Sequence, residues 1–396
     1  MQPQLEALRN ELTGELESIL QYWMQYTLDE KNGGFEGSVD NNNEPLAGAP
    51  KGLVLNARIL WTFSTASRFL QDEKLLTVSH RAFNYILDHF QDKKYGGVYW
   101  SVDEKGTMLE SRKQVYGQAF CIYGMSAYYA ATGNPVALEF AISLYELIEK
   151  YSYDVWENGY LEAFSRSWGP LEDLRLSEKD ANEKKTMNTH LHIIEAYAAL
   201  YKVWPDEQLK MKMEGLLELI DRYFINHQTG HLRLFFDEYW NEKVDVISYG
   251  HDIEAGWLVQ QCAEFIGDEK WISLFKTDAI LLTKAAMRGL DEDGGLWYEY
   301  EQAQQKLIKE KHWWPQAEAM IGFFNAWQLS GDETYLTHCI NSWSFIKEHL
   351  LDKTKGEWYW GIKENNSIMT GQDKAGFWKC PYHNGRACME LITRIG

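Results

Sequence analysis

The stretch Gly96-Gly97-Val98-Tyr99-Trp100, followed by the apolar segment GQAFCIYGMSAYY at 117–129, is one copy of a unit that recurs along this chain of 396 residues. Each copy has a single or paired glycine, a short alternating run rich in aromatic residues, and then a largely apolar helix. A spacing of roughly 65 residues between copies is the signature of a repeat architecture. The six glycine landmarks are Gly33-Gly34-Phe35, Gly96-Gly97-Val98, Gly159-Tyr160-Leu161, Gly230-His231-Leu232, Gly294-Gly295-Leu296 and Gly356-Glu357-Trp358.

Two kinds of helix alternate between the landmarks. The segment 117–129 is apolar or small nearly all round, which predicts a helix surrounded by protein, whereas 136–151 has an apolar stripe and a charged face. The same order of buried and surface helix predicts the pairs 52–70 with 74–92, 185–203 with 206–224, 249–267 with 270–290, and 312–330 with 333–351, with 2–26 and 383–395 as the remaining pair. Six buried and six surface helices predict an all-α, double-walled barrel that fills residues 1–396 as a single catalytic domain.

The alternating stretches predict short β-hairpins, for example Val98–Val102 followed by the turn Asp103–Gly106. Connections from a surface helix to the next buried helix all leave from the same end of such a barrel. We therefore expect the hairpins on one rim, with the first turn of each inner helix pointing into one shared cup.

Composition narrows the choice of partners and compartment. The net charge of -19, without a cluster of Lys or Arg, argues against nucleic-acid and membrane partners. No signal peptide or transmembrane segment is visible, and the five scattered cysteines argue against disulfides and zinc. We expect a cytoplasmic protein that acts as a monomer or weak homodimer on a small molecule. The 17 Trp and 23 Tyr side chains suit sugars, whose C–H faces stack on flat rings.

Polar residues are concentrated in the first turns of the predicted inner helices, each of which is otherwise apolar. They are Arg58; Tyr116 and Gln118; Asn188 and His192; His251 and Glu254; Trp314, Gln316 and Glu318; and His383 and Arg386. Three histidines in equivalent repeat positions, with a guanidinium, indicate proton transfer near neutral pH. His190 lies about 200° around the helix from His192, so we interpret it as structural.

His251 and Glu254 stand at positions i and i+3, which predicts that they share one helical face. We expect Glu254 to orient His251, as a third group does for a catalytic base. A metal site would need further ligands at suitable spacing, and the H-E-x-x-H pattern is absent, so no metal or cofactor is predicted. Trp314 and Trp378 are expected to face the cup.

At these residues the chain resembles the N-acylglucosamine 2-epimerase superfamily, and within it the cellobiose 2-epimerase branch. The resemblance covers essentially the whole length. It is carried by Asn56–Trp61, Gly96–Trp100, Met187–His192, Tyr249–Ala255, His312–Glu318 and Lys379–Arg386. It implies an (α/α)6 barrel and metal-free inversion at C2 of the reducing-end glucose in β-1,4-linked disaccharides such as cellobiose and lactose. The implied route is ring opening, proton transfer by two histidine bases, and a cis-enediolate intermediate.

The resemblance also implies roles for individual residues. His251 and His383 are the two bases, and Arg58 stabilises the enediolate oxygens. His192, supported by Asn188, serves ring opening or holds O1. The implied substrate-binding residues are Tyr116, Asn188, Asp180, Trp314, Glu318 and Trp378. Gly256 departs from the small hydroxyl residue of the family, which affects only local packing.

Three alternatives remain open from the residues. An epimerase or aldose–ketose isomerase acting on free mannose or glucose uses the same enediolate, and so the histidines do not distinguish it. A glycoside hydrolase needs two carboxylates around the scissile bond, for which the cup offers Glu254 and Glu318. A sugar-binding protein without catalysis would share the apolar walls and tryptophans.

Overall fold

The computed structural model describes residues 2–396, and twelve α-helices form its framework within that range. The helices are α1 Gln2–Tyr26, α2 Leu53–Leu70, α3 Leu75–Tyr85, α4 Val115–Thr132, α5 Pro135–Tyr151, α6 Met187–Val203, α7 Glu207–Leu219, α8 Tyr249–Ile266, α9 Glu269–Ala286, α10 Trp313–Ser330, α11 Glu333–Phe345 and α12 Tyr382–Ile395. The even-numbered helices are the inner ones, and each contacts the next until α12 returns to α2. This closed ring, with α1 against α12, confirms the predicted all-α (α/α)6 barrel.

The inner helices approach one another closely because small residues lie where they meet. Gly124 of α4 faces α2, and a Cβ there would come within 2.7 Å of the carbonyl oxygen of Ala57. The outer helices keep one exposed face, as α5 does, and α3, α7 and α11 each continue into a five-residue π-helical turn at 86–90, 220–224 and 346–350. Among residues 2–396, no helix combines the length and the apolar character needed to cross a bilayer.

Short strands join neighbouring repeats around one rim. They are β1 Ser38–Val39, β2 Lys51–Gly52, β3 Ser101–Val102, β4 Met108–Glu110, β5 Lys113–Gln114, β6 Ala163–Phe164, β7 Lys185–Thr186, β8 Phe235–Phe236, β9 Val246–Ser248, β10 Glu299–Glu301, β11 Lys306–Ile308, β12 Lys311–His312, β13 Gly361–Ile362 and β14 Ala375–Gly376. The strand that precedes an inner helix pairs antiparallel with a strand in the next repeat, as β5 does with β6, and β14 closes the circle on β1.

The prediction of short β-hairpins on one rim is confirmed. Strands β3–β4 and β10–β11 pair inside one repeat, and a single antiparallel bridge, such as Gln91 with Val98, closes the turn at each glycine landmark. The further pairing of strands across the boundary between repeats was not predicted. The backbone groups just before each inner helix need hydrogen-bond partners, and the neighbouring loop is the segment close enough to supply them.

The fourth residue of four inner helices holds the backbone of a glycine landmark. Gln118 accepts a hydrogen bond from the Val98 amide and donates to the Val98 carbonyl, both at 2.9 Å, and Gln316 does the same at Leu296. His190 accepts from the Tyr160 amide at 2.9 Å, which confirms its structural interpretation. The sequence position of Gln118 and Gln316 suggested that they line the cup. The structure shows instead that they hold loop backbone.

A buried lysine precedes most inner helices and binds an aspartate just before a glycine landmark. We call this ion pair the lysine clasp. The five clasps are Lys51–Asp29 at 2.7 Å, Lys113–Asp92 at 3.0 Å, Lys185–Asp154 at 2.9 Å, Lys311–Asp291 at 2.6 Å and Lys374–Asp352 at 2.5 Å. In the fourth repeat Asn226 and Ile247 occupy the two positions, so both charges are absent together. Neither partner is left buried alone.

We predict that Lys51→Met lowers the free energy of unfolding by about 3–5 kcal/mol, because it leaves the Asp29 carboxylate buried without its cation. The matched control is Lys347→Met, which removes a lysine whose partner Glu11 is 46% exposed. That loss should stay below about 1 kcal/mol. Urea unfolding of both variants measures the difference, and equal losses would contradict a special role for the clasp.

Candidate active site

The cup lies at the rim end of the barrel and is lined by the first two turns of the inner helices. The sixth residues of α2, α4, α6, α8 and α10 are Arg58, Phe120, His192, Glu254 and Glu318. Counted in the same way, His251 is the third residue of α8, and His383 is the second of α12. The prediction that the three histidines occupy equivalent repeat positions is therefore wrong. They meet in the cup from different turns of their helices.

Arg58 is a buried cation without a carboxylate partner. Its Nη2 donates to the Tyr116 hydroxyl at 2.8 Å, and the guanidinium lies 4.2 Å from the ring centre of Phe120 and 4.7 Å from that of Tyr382. Within residues 2–396 no carboxylate oxygen lies within 4.0 Å of it, and Nε has no hydrogen-bond partner. Burying a charge in this way is costly, so the site favours a ligand that carries or develops negative charge.

His192 is oriented by Glu195, one turn further along α6. Its Nδ1 lies 2.8 Å from Oε2 of Glu195. The expected support from Asn188 is not observed, since the Oδ1 of Asn188 has no partner within residues 2–396. Burial raises the pKa of Glu195, but the charge of Arg386 and the bond to His192 outweigh it and hold that pKa at about 2. Burial lowers the pKa of His192 itself.

His383 is oriented by Glu318 from the neighbouring helix α10. Its Nδ1 lies 2.6 Å from Oε1 of Glu318, which leaves Nε2 as the ring nitrogen available to a ligand. The other oxygen of Glu318 accepts from the Trp257 indole at 3.0 Å. Glu318 is fully buried, so the structure does not place it as the substrate-binding residue that the sequence suggested. Burial, together with the charge of Arg58, lowers the pKa of His383 well below its usual value.

His251 has a neutral partner rather than a carboxylate. Its Nδ1 lies 2.8 Å from the Ser248 hydroxyl, and burial with the nearby His192 lowers its pKa to about 3. The prediction that Glu254 orients His251 is wrong, because Glu254 instead accepts from Arg386 at 2.8 Å. Spacing of i and i+3 brings two side chains near each other but does not decide which neighbour each prefers. Burial and the charge of Glu318 raise the pKa of Glu254 to about 8.

Arg386 connects these groups at the base of the cup. Nη1 donates to Oε1 of Glu195 at 2.5 Å, and Nη2 donates to Oε1 of Glu254 at 2.8 Å and of Glu318 at 2.6 Å. We call Glu195, Glu254, Glu318 and Arg386 the carboxylate network. Glu195 and the role of Arg386 were not predicted from the sequence. The available signal was a charged residue within an otherwise apolar stretch of an inner helix.

The hydrogen bonds of Arg386 also bear on whether the cup could hold a metal ion. Within residues 2–396, Glu254, Glu318 and His383 are the set whose ligand atoms lie close enough together to hold one, within 4.8 Å of each other. The Arg386 guanidinium already donates to the facing oxygen of both carboxylates. The donor set is thus satisfied by a cation of the protein itself.

Aromatic rings border the histidines. The Trp314 ring is half-buried and lies 4.8 Å from the ring of His251 and 5.7 Å from that of His383. Trp378 is also half-buried, with its ring 6.2 Å from Tyr116 on the side of Arg58. These positions leave part of each indole open beside the polar groups. Two separate aromatic surfaces of this kind could contact two sugar rings.

Asp180 lies on the loop between β6 and β7. Its carboxylate accepts from the backbone amide and the hydroxyl of Ser177, both at 2.9 Å, and burial raises its pKa. Its charge also contributes to raising the pKa of Tyr298, after burial and Glu299. Asp180 is therefore near Tyr298, whose ring centre lies 6.5 Å from that of Trp314, and its hydrogen-bond partner is Ser177 rather than a histidine.

Comparison with known proteins supplies independent evidence about the family of this chain. The N-acylglucosamine 2-epimerase (GlcNAc 2-epimerase) family profile matches residues 33–387. A cellobiose 2-epimerase of Bacteroides fragilis is 46% identical over 388 residues, which cover 98% of this chain and 99% of that protein. The solved cellobiose 2-epimerase of Bacillus thermoamylovorans aligns with a TM-score of 0.93 at 39% identity, covering 98% of this chain and 100% of that one. A D-mannose isomerase structure, at 21% identity and a TM-score of 0.86, shares the fold.

We predict that His251 stays neutral far below the usual histidine pKa of about 6.5. The folded protein, labelled with ¹⁵N-histidine, should keep the neutral-imidazole signals of this residue from pH 8 to pH 5, with His251→Gln assigning them. The same protein in urea is the control. The unfolded chain takes up the proton first, so the contribution of His251 to stability is lost as pH falls from 6.5 towards 3. Titration of the folded residue near pH 6.5 would contradict the burial argument.

Proposed function

Because the chain belongs to the N-acylglucosamine 2-epimerase family, as a carbohydrate epimerase of the cellobiose 2-epimerase type, we propose that it inverts C2 of the reducing-end glucose in β-1,4-linked disaccharides such as cellobiose and lactose. The observation that carries this proposal is the pair His251 and His383, two imidazoles of lowered pKa that share the Trp314 ring as a neighbour. The proposal includes the whole chain as one catalytic domain, a cytoplasmic location, independence from metals, and a monomer or weak homodimer.

Ring opening comes first, since only the open-chain aldose has a C2 proton acidic enough to remove. It requires a proton to leave the O1 hydroxyl and another to reach the ring oxygen. His192 is suited to this step, because Glu195 holds its Nδ1 and leaves Nε2 for a sugar oxygen. Tyr116 lies against the His192 ring at 5.1 Å and adds a hydroxyl at the same place.

Inversion then needs two bases on opposite faces of C2. One imidazole takes the C2 proton as the C–H electron pair moves into the C1–C2 bond and the carbonyl oxygen becomes negative. The other, as an imidazolium, returns a proton to the opposite face. His251 and His383 fill these roles in the proposal, and they exchange roles in the reverse reaction. The intermediate is a cis-enediolate that need not move between the two steps.

The charge of that intermediate is matched by Arg58. The negative charge develops on the C1 and C2 oxygens, and a preorganised cation placed there lowers the barrier without reorganising solvent. Arg58 supports this role because its guanidinium has no carboxylate neighbour within 4.0 Å in residues 2–396 and so remains electrostatically uncompensated. In the proposal Trp314 stacks on the reacting sugar and Trp378 on the second one, while Asn188 and Asp180 offer hydrogen bonds around them.

We predict that incubation with cellobiose in heavy water places deuterium at C2 of the reducing sugar. His251→Asn and His383→Asn should each lower turnover by at least about 100-fold, because each removes one proton-transfer group. His338→Asn on the outer helix α11 is the matched control and should react like the parent protein. Mannose alone reacting would favour the monosaccharide enzyme, release of free glucose would favour a hydrolase, and no incorporation with any aldose would leave binding alone.

We predict that Trp378→Ala raises KM for cellobiose by about tenfold but changes KM for mannose by less than about threefold, because only the disaccharide reaches a second stacking ring. The steady-state constants for both sugars measure this split. Trp156→Ala serves as control, since that ring is 90% exposed on a surface turn. An equal rise for both sugars would place Trp378 at the reacting ring instead.

A further inference from the structure

We propose that Arg386 is a positioning residue that distributes protons among three buried carboxylates, keeping Glu195 and Glu318 ionised as partners of two histidines while Glu254 holds one proton beside His383. The role of this arrangement in catalysis rests on the proposed function. The hydrogen bonds of Arg386 are observed whatever the reaction is. Both terminal nitrogens of the Arg386 guanidinium donate to protein carboxylates, which suits this residue to hold those groups in place.

The contacts of Arg386 join two of the histidines. One guanidinium nitrogen binds Glu195, and the other binds Glu254 and Glu318 at once. Glu195 and Glu318 are the carboxylates that hold Nδ1 of His192 and His383. A continuous hydrogen-bonded path therefore runs from His192 through Glu195, Arg386 and Glu318 to His383. The planar fork of fixed donors in a guanidinium suits it to hold these three carboxylates in one arrangement.

The charges in the carboxylate network do not balance if all three carboxyl groups are ionised. Three carboxylates around one guanidinium would leave two uncompensated negative charges in a fully buried place, which is costly. Glu195 and Glu318 each gain a histidine N–H as well as the guanidinium. The side chain of Glu254 has Arg386 as its hydrogen-bond partner within residues 2–396, and its Oε1 lies 4.0 Å from Nδ1 of His383. Glu254 is the carboxyl group with least to gain from ionisation. Burial raises the pKa of Glu254 and also that of Glu318, but the hydrogen bonds from Arg386, Trp257 and His383 favour the ionised form of Glu318.

The other charged or basic groups that face the network do not change the assignment. Arg58 lies towards the substrate side and lowers the pKa of His383, and His251 has the Ser248 hydroxyl as its partner. The Tyr382 hydroxyl is bonded to Glu195 and Arg386. None of these groups supplies a second cation to Glu254.

The proton on Glu254 is linked to the reaction through His383. A two-base inversion starts with one neutral imidazole and one imidazolium, while the free protein disfavours charge on both His251 and His383. Nδ1 of His383 already donates its N–H to Glu318, so His383 becomes charged only when Nε2 takes a proton, as it does from C2 when it acts as the base. With Glu254 protonated, the carboxylate network carries one net negative charge, which the imidazolium of His383 balances. Arg386 holds the network in that charge state.

The test uses Arg386→Lys and Glu254→Gln in the full-length protein. Infrared spectra near neutral pH should show a buried protonated carboxyl that Glu254→Gln removes. In Arg386→Lys the ¹⁵N signals of both His192 and His383 should move, while those of His251 stay. Lys113→Met, which breaks a buried ion pair outside the cup, is the control and should leave all three histidines unchanged. The proposal would be overturned if Arg386→Lys shifted the ¹⁵N signals of only one of the two histidines. It would also be overturned if the carboxyl band persisted in Glu254→Gln.

Kinetics provide the second readout. Arg386→Lys should lower kcat by about 100-fold with KM for cellobiose within about threefold, because the substrate contacts remain. Circular dichroism and the thermal midpoint check that the variant is folded. If it does not fold, Glu254→Gln alone decides, because disappearance of the infrared band supports the proposal and its persistence overturns it. A parent protein that exchanges no C2 proton would refute the proposed function, whereas the infrared and histidine signals would still test the network.

Discussion

The lysine clasp is the interaction on which the remainder of this architecture depends. An inner helix of a double-walled barrel is buried on nearly every side, so its N-terminus must be fixed by the loop that delivers it. In five repeats a buried ammonium just before the helix binds an aspartate from a glycine landmark, and its strand pairs with the next repeat. Both interactions act at the same rim. Strand pairing holds all six helix starts around one cup and the clasp holds five of them, without using any of the cup's own polar groups.

The fourth repeat shows what happens when the clasp is absent. Asn226 and Ile247 replace the ion pair, and the repeat uses a different buried contact, in which Nδ1 of His231 lies 2.7 Å from Asp252. Asp252 also accepts from the Leu232 amide at 2.8 Å, as Gln118 and Gln316 do in their own repeats. The next residue back along α8 is His251. The helix start that carries one proposed base is thus tied to its glycine landmark by Asp252, a residue of its own first turn, rather than by a lysine that precedes the helix.

The architecture could be predicted from the sequence because it follows from periodicity. Buried and surface helices alternate with the landmarks, and all twelve predicted helices lie where α1 to α12 are observed. The strand partners could not be predicted, since β5 and β6 are joined by proximity between repeats and not by a turn. Most residues of the site could be predicted from the sequence, but their hydrogen-bond partners could not. His251 selects Ser248 and Glu254 selects Arg386, because the contacts depend on how α8, α10 and α12 cross.

The pairs that the sequence could not supply are also the ones that separate the two proposed bases chemically. His383 is bonded to the carboxylate of Glu318 and stands 4.0 Å from a second carboxyl group, whereas His251 is bonded to a hydroxyl. A carboxylate stabilises an imidazolium far better than a hydroxyl does, since it contributes an opposite charge in a low-dielectric surrounding. The two bases therefore differ in how their protonated forms are stabilised. Charge on His383 is shared with the carboxylate network, and charge on His251 is not. An epimerase must run in both directions through the same intermediate, and this asymmetry means that only one of its two imidazolium forms faces a carboxylate.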